Sequence, residues 1–300
     1  MLVWFLLALG AAIANSWSQV VQKWAIFLSR YSKITIAFVS TATAALILFG
    51  VSYFIVGAPQ IDERFWAAVL VTGILNTLAL PIMLKAYELG EFSSVYSMIL
   101  MTPVFLLIAS PIVLGEMPSP IGIFGVLLTV LGLWVITRTN HEHTPVPNFA
   151  KGNLLGLAVA FIWSISVNFD KLAAIYSDQF FAPAATMAIT AAGCAIYLFA
   201  TRRALIIKTS YSLAINNNHR FAVPKIFILL LLGALMALGG ILHNSALLAG
   251  FASYTIAIKR IGVLFGVFWG WLFFKEKHLF RKALGATIAI AGVVAILFTN

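Results

Sequence analysis

Apolar residues run through this chain in long unbroken stretches separated by short polar or basic segments. Ten such stretches can be marked, over about 2–22, 34–56, 65–86, 92–114, 120–137, 153–174, 181–201, 226–248, 252–274 and 282–299. Each approaches the roughly 20 residues a helix needs to cross a hydrocarbon core at about 1.5 Å per residue. Strands of a membrane barrel would alternate over about 10 residues, and these runs are continuous and about twice that length. The pattern predicts an all-α membrane protein of ten transmembrane helices. The first run starts at Met1–Leu2–Val3 with no basic leader and no small-residue cleavage site, so it is read as a retained span and not a signal peptide. Two connections are long and polar, residues 138–152 and 202–225, and the first of them divides the spans five and five.

Composition narrows the class further. Hydrophobic residues make up 62% of the 300 and charged residues 9%, where a soluble domain carries roughly a quarter. Too few charges remain to cover a water-soluble surface, and disorder needs the opposite balance. The net charge of +10 would suggest nucleic acid in a soluble protein. Here no basic patch is interleaved with exposed aromatics, so no nucleic-acid partner is expected. The basic residues cluster instead in one set of loops. The odd-numbered loops hold 15 of the 19 Lys and Arg residues; the even-numbered loops hold only Arg64 and Lys171, and Lys259 and Arg260 fall inside the ninth span. By the positive-inside rule both termini lie outside the cytoplasm. The single cysteine, Cys194, has no partner for an internal disulfide.

The halves repeat one another. Residues 6–29 align without gaps on 154–177, with Leu6, Leu7, Leu9, Ala12, Ser16, Ser18, Lys23, Ala25 and Ser29 meeting identical residues. Residues 90–140 align on 250–300, with identities at Gly90, Ser93, Phe105, Glu116, Gly125, Gly132, Ile136, Thr139 and Asn140. Apolar matches arise easily by chance, so the Lys, Glu, Gly and Asn matches carry the weight. The expected organisation is a first five-helix repeat over 1–140, a polar linker over 141–152 and a second repeat over 153–300. Because each half has an odd number of spans, the second must enter the membrane from the opposite side. Inverted-topology repeats of this kind place substrate near the midplane of secondary transporters.

Ten spans in two halves, with Trp271-Leu272-Phe273-Phe274-Lys275-Glu276 followed by Gly285-Ala286 and Ala291-Gly292-Val293-Val294, resemble the drug/metabolite transporter superfamily in its EamA-type form. Val113-Leu114-Gly115-Glu116 with Gly125 and Gly132 forms a weaker first-half copy. The resemblance implies export or exchange of a small metabolite without ATP, and in many relatives both termini are cytoplasmic, against the charge count here. The small multidrug branch of that superfamily carries a Glu in its first helix that exchanges protons for cationic drugs. The first span here has no acidic residue, which disfavours a cationic substrate.

Chemistry must come from polar groups inside the spans. A charge at the centre of a membrane helix costs about 2.5–3.5 kcal/mol even on lenient scales, so it faces a wet cavity or a partner. Lys259 and Arg260 lie about 10–12 Å into the ninth span. Adjacent cations at that depth need an anion, and Arg suits bidentate contact while Lys acts as a point charge. A substrate carboxylate, phosphate or sulfonate would supply it; so would Asp170, Glu88 or backbone carbonyls, or the side chains could snorkel outward. The adjacent Lys–Arg is also similar to the phosphate-gripping pair of the sugar-phosphate and nucleotide-sugar branch. Lys23 and Lys171 read as interfacial or as ligand contacts, with local neutralisation of Lys171 by Asp170; Lys85 and Glu88 read as an i, i+3 pair or, for Lys85, as a further substrate contact.

Neutral polar residues outline a path. Asn15, Trp17 and Gln19 lie in the first span, Asn76 in the third, Tyr96 in the fourth, Trp163 and Asn168 in the sixth, His243 and Asn244 in the eighth, and Tyr254 in the ninth. Each could bind substrate or serve as interhelical glue; the tryptophans could stack or simply pack. Pro81, Pro103 and Pro111 are expected to interrupt the third and fourth spans, and Gly262, Gly266 and Gly270 to form one smooth face for close packing or sliding.

No P-loop, nucleophile elbow, HExxH or paired-Cys motif occurs. His141-Glu142-His143 reads as a solvated turn. The expectation is therefore a non-enzymatic secondary transporter, without cofactor or metal, of a small anionic or amino-acid-like metabolite, in a prokaryotic inner membrane. A coupling ion or counter-substrate and lipid are further partners, and a monomer or a dimer fits. Alternatives are a flippase for an anionic-headgroup lipid, drug efflux of open specificity, and a purely structural subunit without a wet cavity.

Overall fold

A computed structural model describes residues 2–28, 31–89, 95, 98–137, 149–201, 225–262, 264–265 and 279–298. Within them the chain forms ten helices: α1 Leu2–Leu28, α2 Lys33–Ile55, α3 Arg64–Leu89, α4 Thr102–Leu114, α5 Pro120–Thr137, α6 Phe149–Ile175, α7 Phe181–Ala200, α8 Lys225–Ala249, α9 Ala252–Arg260 and α10 Leu279–Leu297. They match the ten apolar runs one for one. Among the described residues, six segments are long and apolar enough to cross a membrane: 2–22 of α1, α2, 64–83 of α3, 150–175 of α6, α7 and 226–249 of α8. Shorter apolar helices are Thr102–Leu114, Pro120–Val135 and Thr287–Leu297.

Hydrophobicity is inverted relative to a soluble fold. Leu46, Phe54, Ile112 and Phe199 stand exposed on the outside, while Ala, Ser and Thr fill much of the interior. An outer surface of large apolar side chains is stable only against lipid. Small residues inside let helix backbones approach, which supplies the dispersion that replaces the hydrophobic effect between helices in a membrane.

The packing partners are regular. The pairs α1–α8, α2–α8 and α1–α9 pack together, and so do α6–α3, α7–α3 and α6–α4. Each pair in the second set is the first with every helix advanced by five positions modulo ten. The pairs α2–α7, α4–α9 and α5–α10, which that exchange leaves in place, also pack.

The family-like glycines hold α5 to α10. A Cβ at Gly125 would lie 2.7 Å from Gly292 O, and one at Gly132 would lie 2.5 Å from Gly285 O. No side chain fits between these backbones. Gly262 similarly lets α9 approach α1, a Cβ there lying 2.7 Å from Ala12 O; Gly266 and Gly270 lie outside the described residues.

Of the three prolines expected to interrupt the third and fourth spans, Pro81 and Pro111 do not, whereas just before Pro103 the fourth run turns at residues 100–101 and α4 begins anew at Thr102. Pro81 sits inside the continuous α3 and Pro111 inside α4, while Pro103 occupies the first turn of α4. A proline in the first turn lacks only an N–H that would have had no helical acceptor. α4 ends instead at Gly115, whose φ of 70° is left-handed and suits glycine.

Candidate functional site

Among the described residues two lysines, Lys171 and Lys259, lie inside the bundle, and their surroundings differ sharply. Lys171 of α6 is buried. Its Nζ forms an ion pair with Glu116 and donates to Gly250 O at 2.6 Å. Glu116 Oε2 also accepts from Ala252 N at 2.7 Å. The left-handed Gly115 turns the chain out of α4, so Glu116 meets the α8–α9 turn. There the carboxylate caps the positive N-terminus of α9 and the ammonium meets a carbonyl just beyond α8, each charge in its favoured dipole position. The sequence reading of Lys171 as interfacial and neutralised by Asp170 is therefore corrected: its partner is Glu116, 55 residues away in sequence. The repeat mates Lys23 (its side chain) and Glu276 lie outside the described residues, as does the side chain of Glu88 expected to pair with the exposed Lys85.

Lys259 is half-buried near the end of α9 and makes no hydrogen bond or ion pair among the described residues. Its neighbour Arg260 is also half-buried. Arg260 Nη2 donates to Thr102 Oγ1 of α4 at 3.0 Å, and its guanidinium lies 5.9 Å from the ring centroid of Trp163 on α6. These contacts aim the guanidinium between α4 and α6, and an aromatic face beneath a cation adds a modest attraction. Two other groups feel these charges. Asp170 of α6 attracts Lys259, and His243 of α8 lies within Coulombic reach of Lys259 and Arg260. His243 is buried and its Nδ1 has no hydrogen-bond partner among the described residues.

Asp170 belongs to a small network. Thr72 Oγ1 of α3 donates to Asp170 Oδ1 at 2.6 Å, meets Ser166 Oγ at 2.7 Å, and receives Asn76 Nδ2 at 3.4 Å. Asn76, Trp163, Asp170, Lys259 and Arg260 are all half-buried, so α3, α6 and α9 bring together polar groups that keep some open surface. Asn15 and Trp17 of α1 are half-buried as well.

Other sequence candidates are engaged in holding the bundle. Asn168 is fully buried; its Nδ2 donates to Ser164 O at 2.7 Å and its Oδ1 accepts from Ser110 Oγ at 2.9 Å, tying α6 to α4. Asn244 is buried and donates to Gly240 O at 3.0 Å. Tyr254 is buried in an apolar cluster with Trp4, Val126 and Ile296, stacks on Phe251, and its hydroxyl accepts from Ser119 N at 2.9 Å. It pins α9 to the start of α5. The side chain of Gln19 and all of Tyr96 lie outside the described residues, as do His141-Glu142-His143 and the Trp271–Glu276 segment.

Sequence reasoning did not find the Glu116–Lys171 pair, the Thr72–Asp170 bond, or the bond from Trp4 Nε1 to Thr255 Oγ1 at 2.9 Å. The repeat comparison did carry a signal for the first, since Glu116 and Lys171 each meet an identical residue in the other half. Among the described residues no cluster of His, Cys, Asp and Glu could hold a metal ion.

Comparison with known proteins agrees with this architecture. A solved structure titled "Crystal structure of protein" superposes with a TM-score of 0.76 over 99% of this chain and 97% of its own, at 13% identity, a likeness of fold alone. No curated protein matches the sequence. Residues 2–138 match the model of the EamA-like transporter family. Together with the six membrane-length apolar helices among the described residues, that match, which spans somewhat under half of the chain, supports a multi-pass integral membrane protein similar to the EamA-like transporter family and consistent with the drug/metabolite transporter superfamily.

Proposed function

We propose that this chain is a secondary transporter that carries a small solute bearing a negative group by alternating access between two inverted halves, 1–140 and 153–300. The observation that carries the reading is Lys259: half-buried in a bundle helix, with no partner among the described residues, beside Arg260. Holding an ammonium at that depth costs several kcal/mol unless something compensates. A bound anion does so while the solute is aboard. Arg260, aimed by Thr102 and flanked by Trp163, offers the fork that suits a carboxylate, phosphate or sulfonate. A planar or apolar body on the solute has Trp163 to rest against.

The exchange symmetry of the packing partners supports the inverted repeat. Two near-equivalent helix sets can adopt two near-equivalent packings with opposite openings, which is what alternating access requires. One chain already contains both halves, so a monomer suffices. The bias of Lys and Arg toward the odd-numbered loops supports termini outside the cytoplasm.

The test is counterflow in proteoliposomes with a panel of labelled carboxylates, phosphates and sulfonates. Lys259→Ala and Arg260→Ala should each cut transport of the active solute at least about tenfold, equivalent to about 1.4 kcal/mol of lost binding. Undiminished transport of every anionic solute by both variants removes the assignment. Transport confined to lipids with anionic headgroups would favour a flippase instead.

A further inference from the structure

Asp170 sits one residue from a cation yet is not neutralised by it, because Lys171 is committed to Glu116 and Gly250 O. Its hydrogen bonds run one way. Thr72 has a single hydroxyl proton and gives it to Asp170 Oδ1, so Thr72 Oγ1 must accept from Ser166 Oγ and from Asn76 Nδ2. The cation that attracts Asp170 is Lys259, across the space between α6 and α9, and among the described residues no salt bridge joins them. Lys259 therefore has two claimants for its charge: an internal carboxylate it does not touch and the anion of a bound solute.

We infer that Asp170 is a proton-binding site coupled to the solute, so that one proton and one anion are loaded together. This rests on the anion site proposed above. When a proton from water adds to the Asp170 carboxylate, the group becomes a neutral acid and its hold on Lys259 ends. Lys259 remains an ammonium and pairs with the incoming anion. On the opposite side the anion leaves, the Asp170 proton returns to water, and the carboxylate again faces Lys259. No redox change occurs, and a monoanion crosses with its proton electroneutrally. Ionisable groups inside transmembrane segments commonly serve as such relays.

Apart from Lys259 itself, which holds its proton through the tested pH window, the other groups around Asp170 do not offer the same linkage. On α6 itself, Lys171 faces Glu116. Among the elements packed on α6, α3 carries Arg64, Lys85, Tyr87 and Glu88 toward its ends, and α4 carries no titratable residue over Thr102–Leu114. α7 carries Cys194 and Tyr197, and α9 carries Tyr254, Lys259 and Arg260. His243 of α8 faces Lys259 and Arg260, so it is the control.

Coupling between proton and anion is reciprocal, and this makes the inference measurable on the purified full-length chain. Benzenesulfonate and inorganic sulfate serve as probes, and binding is read by calorimetry between about pH 5 and 7, a window over which neither probe changes charge and a lysine stays an ammonium. Wild-type affinity should fall by up to about tenfold per pH unit once Asp170 is ionised, the slope expected for one linked proton. Asp170→Asn should bind the probe with an affinity that stays flat with pH, while His243→Gln should keep the fall. If Asp170→Asn does not fold, Thr72→Val removes the donor to the carboxylate and should move the fall to higher pH. The same pH dependence in wild type and Asp170→Asn, a fall abolished by His243→Gln, or an unmoved profile in Thr72→Val overturns the coupling and leaves the anion site standing. Failure of wild type to bind either probe at any pH overturns the anion site beneath it.

Discussion

Lys171 and Lys259 are the same side chain inside one helix bundle, and the bundle treats them in opposite ways. Lys171 is closed in by a carboxylate and a carbonyl, and its carboxylate partner is held in turn by the first amide of α9. Lys259 lies on that same helix, two turns on, half-buried and with no partner among the described residues. The first is a buried charge made safe by neutralisation; on the function proposed above, the second is a half-buried charge left for a solute anion to neutralise.

Removing Glu116 should have the largest effect. Glu116→Ala leaves Lys171 buried without its counter-charge and α9 without its cap, which should cost about 3–5 kcal/mol of stability, read as a fall in unfolding temperature in detergent. The double variant Glu116→Leu with Lys171→Met should recover most of that loss, because no lone charge remains. Lys259→Met is the contrasting case. Anion transport should drop about 10- to 100-fold, equivalent to about 1.4–2.8 kcal/mol, with unfolding temperature unchanged or raised, since an uncompensated ammonium is removed.

A smaller effect separates the two ends of α9. Trp4 donates to Thr255 in its N-terminal part, so Trp4→Phe should lower stability by about 1 kcal/mol, the typical worth of one buried hydrogen bond, with transport retained in folded protein. Smallest is the surface pair Asp62–Arg64, whose side chains meet at 2.8 Å in an exposed loop. Hydrogen bonds from Arg64 hold the Asp62 carboxyl down to about 2 from the ordinary 3.8. A lowered value means that what the pair contributes is present above about pH 4 and lost as pH falls through about 2. Solvent screens such a pair, so Asp62→Asn should leave transport and the unfolding temperature at pH 7 unchanged.

The helices were legible because apolar length is a one-dimensional property. Ten runs, read from hydrophobicity alone, match the ten helices, and the paired glycines near 125–132 and 285–292 fall where α5 and α10 touch backbone to backbone. Helix ends were less legible: α1 runs to Leu28 and α6 starts at Phe149, beyond the apolar runs, because helical hydrogen bonding does not depend on apolar side chains. The site was only partly legible. Lys259 and Arg260 stood out because two cations in an apolar run are costly whatever the fold. The fates of Asn168 and Tyr254, by contrast, depend on Ser110 and Ser119 on other elements, and sequence gives no distance between them. The prolines were legible at one position of three: the fourth run turns at 100–101 just before Pro103, which fits the first turn of the new helix, while Pro81 and Pro111 sit inside continuous helices.

The central claim is that Lys259 is held for an anion, and ligand-induced thermal stabilisation tests it most directly. Phosphate, sulfonate and carboxylate solutes are screened against wild type and Lys259→Met at matched protein concentration. A ligand that binds only the folded chain raises its unfolding temperature by mass action. The account predicts that at least one anionic solute raises the unfolding temperature of wild type but not of Lys259→Met, while the two melt alike without it. An equal rise in both proteins would contradict it.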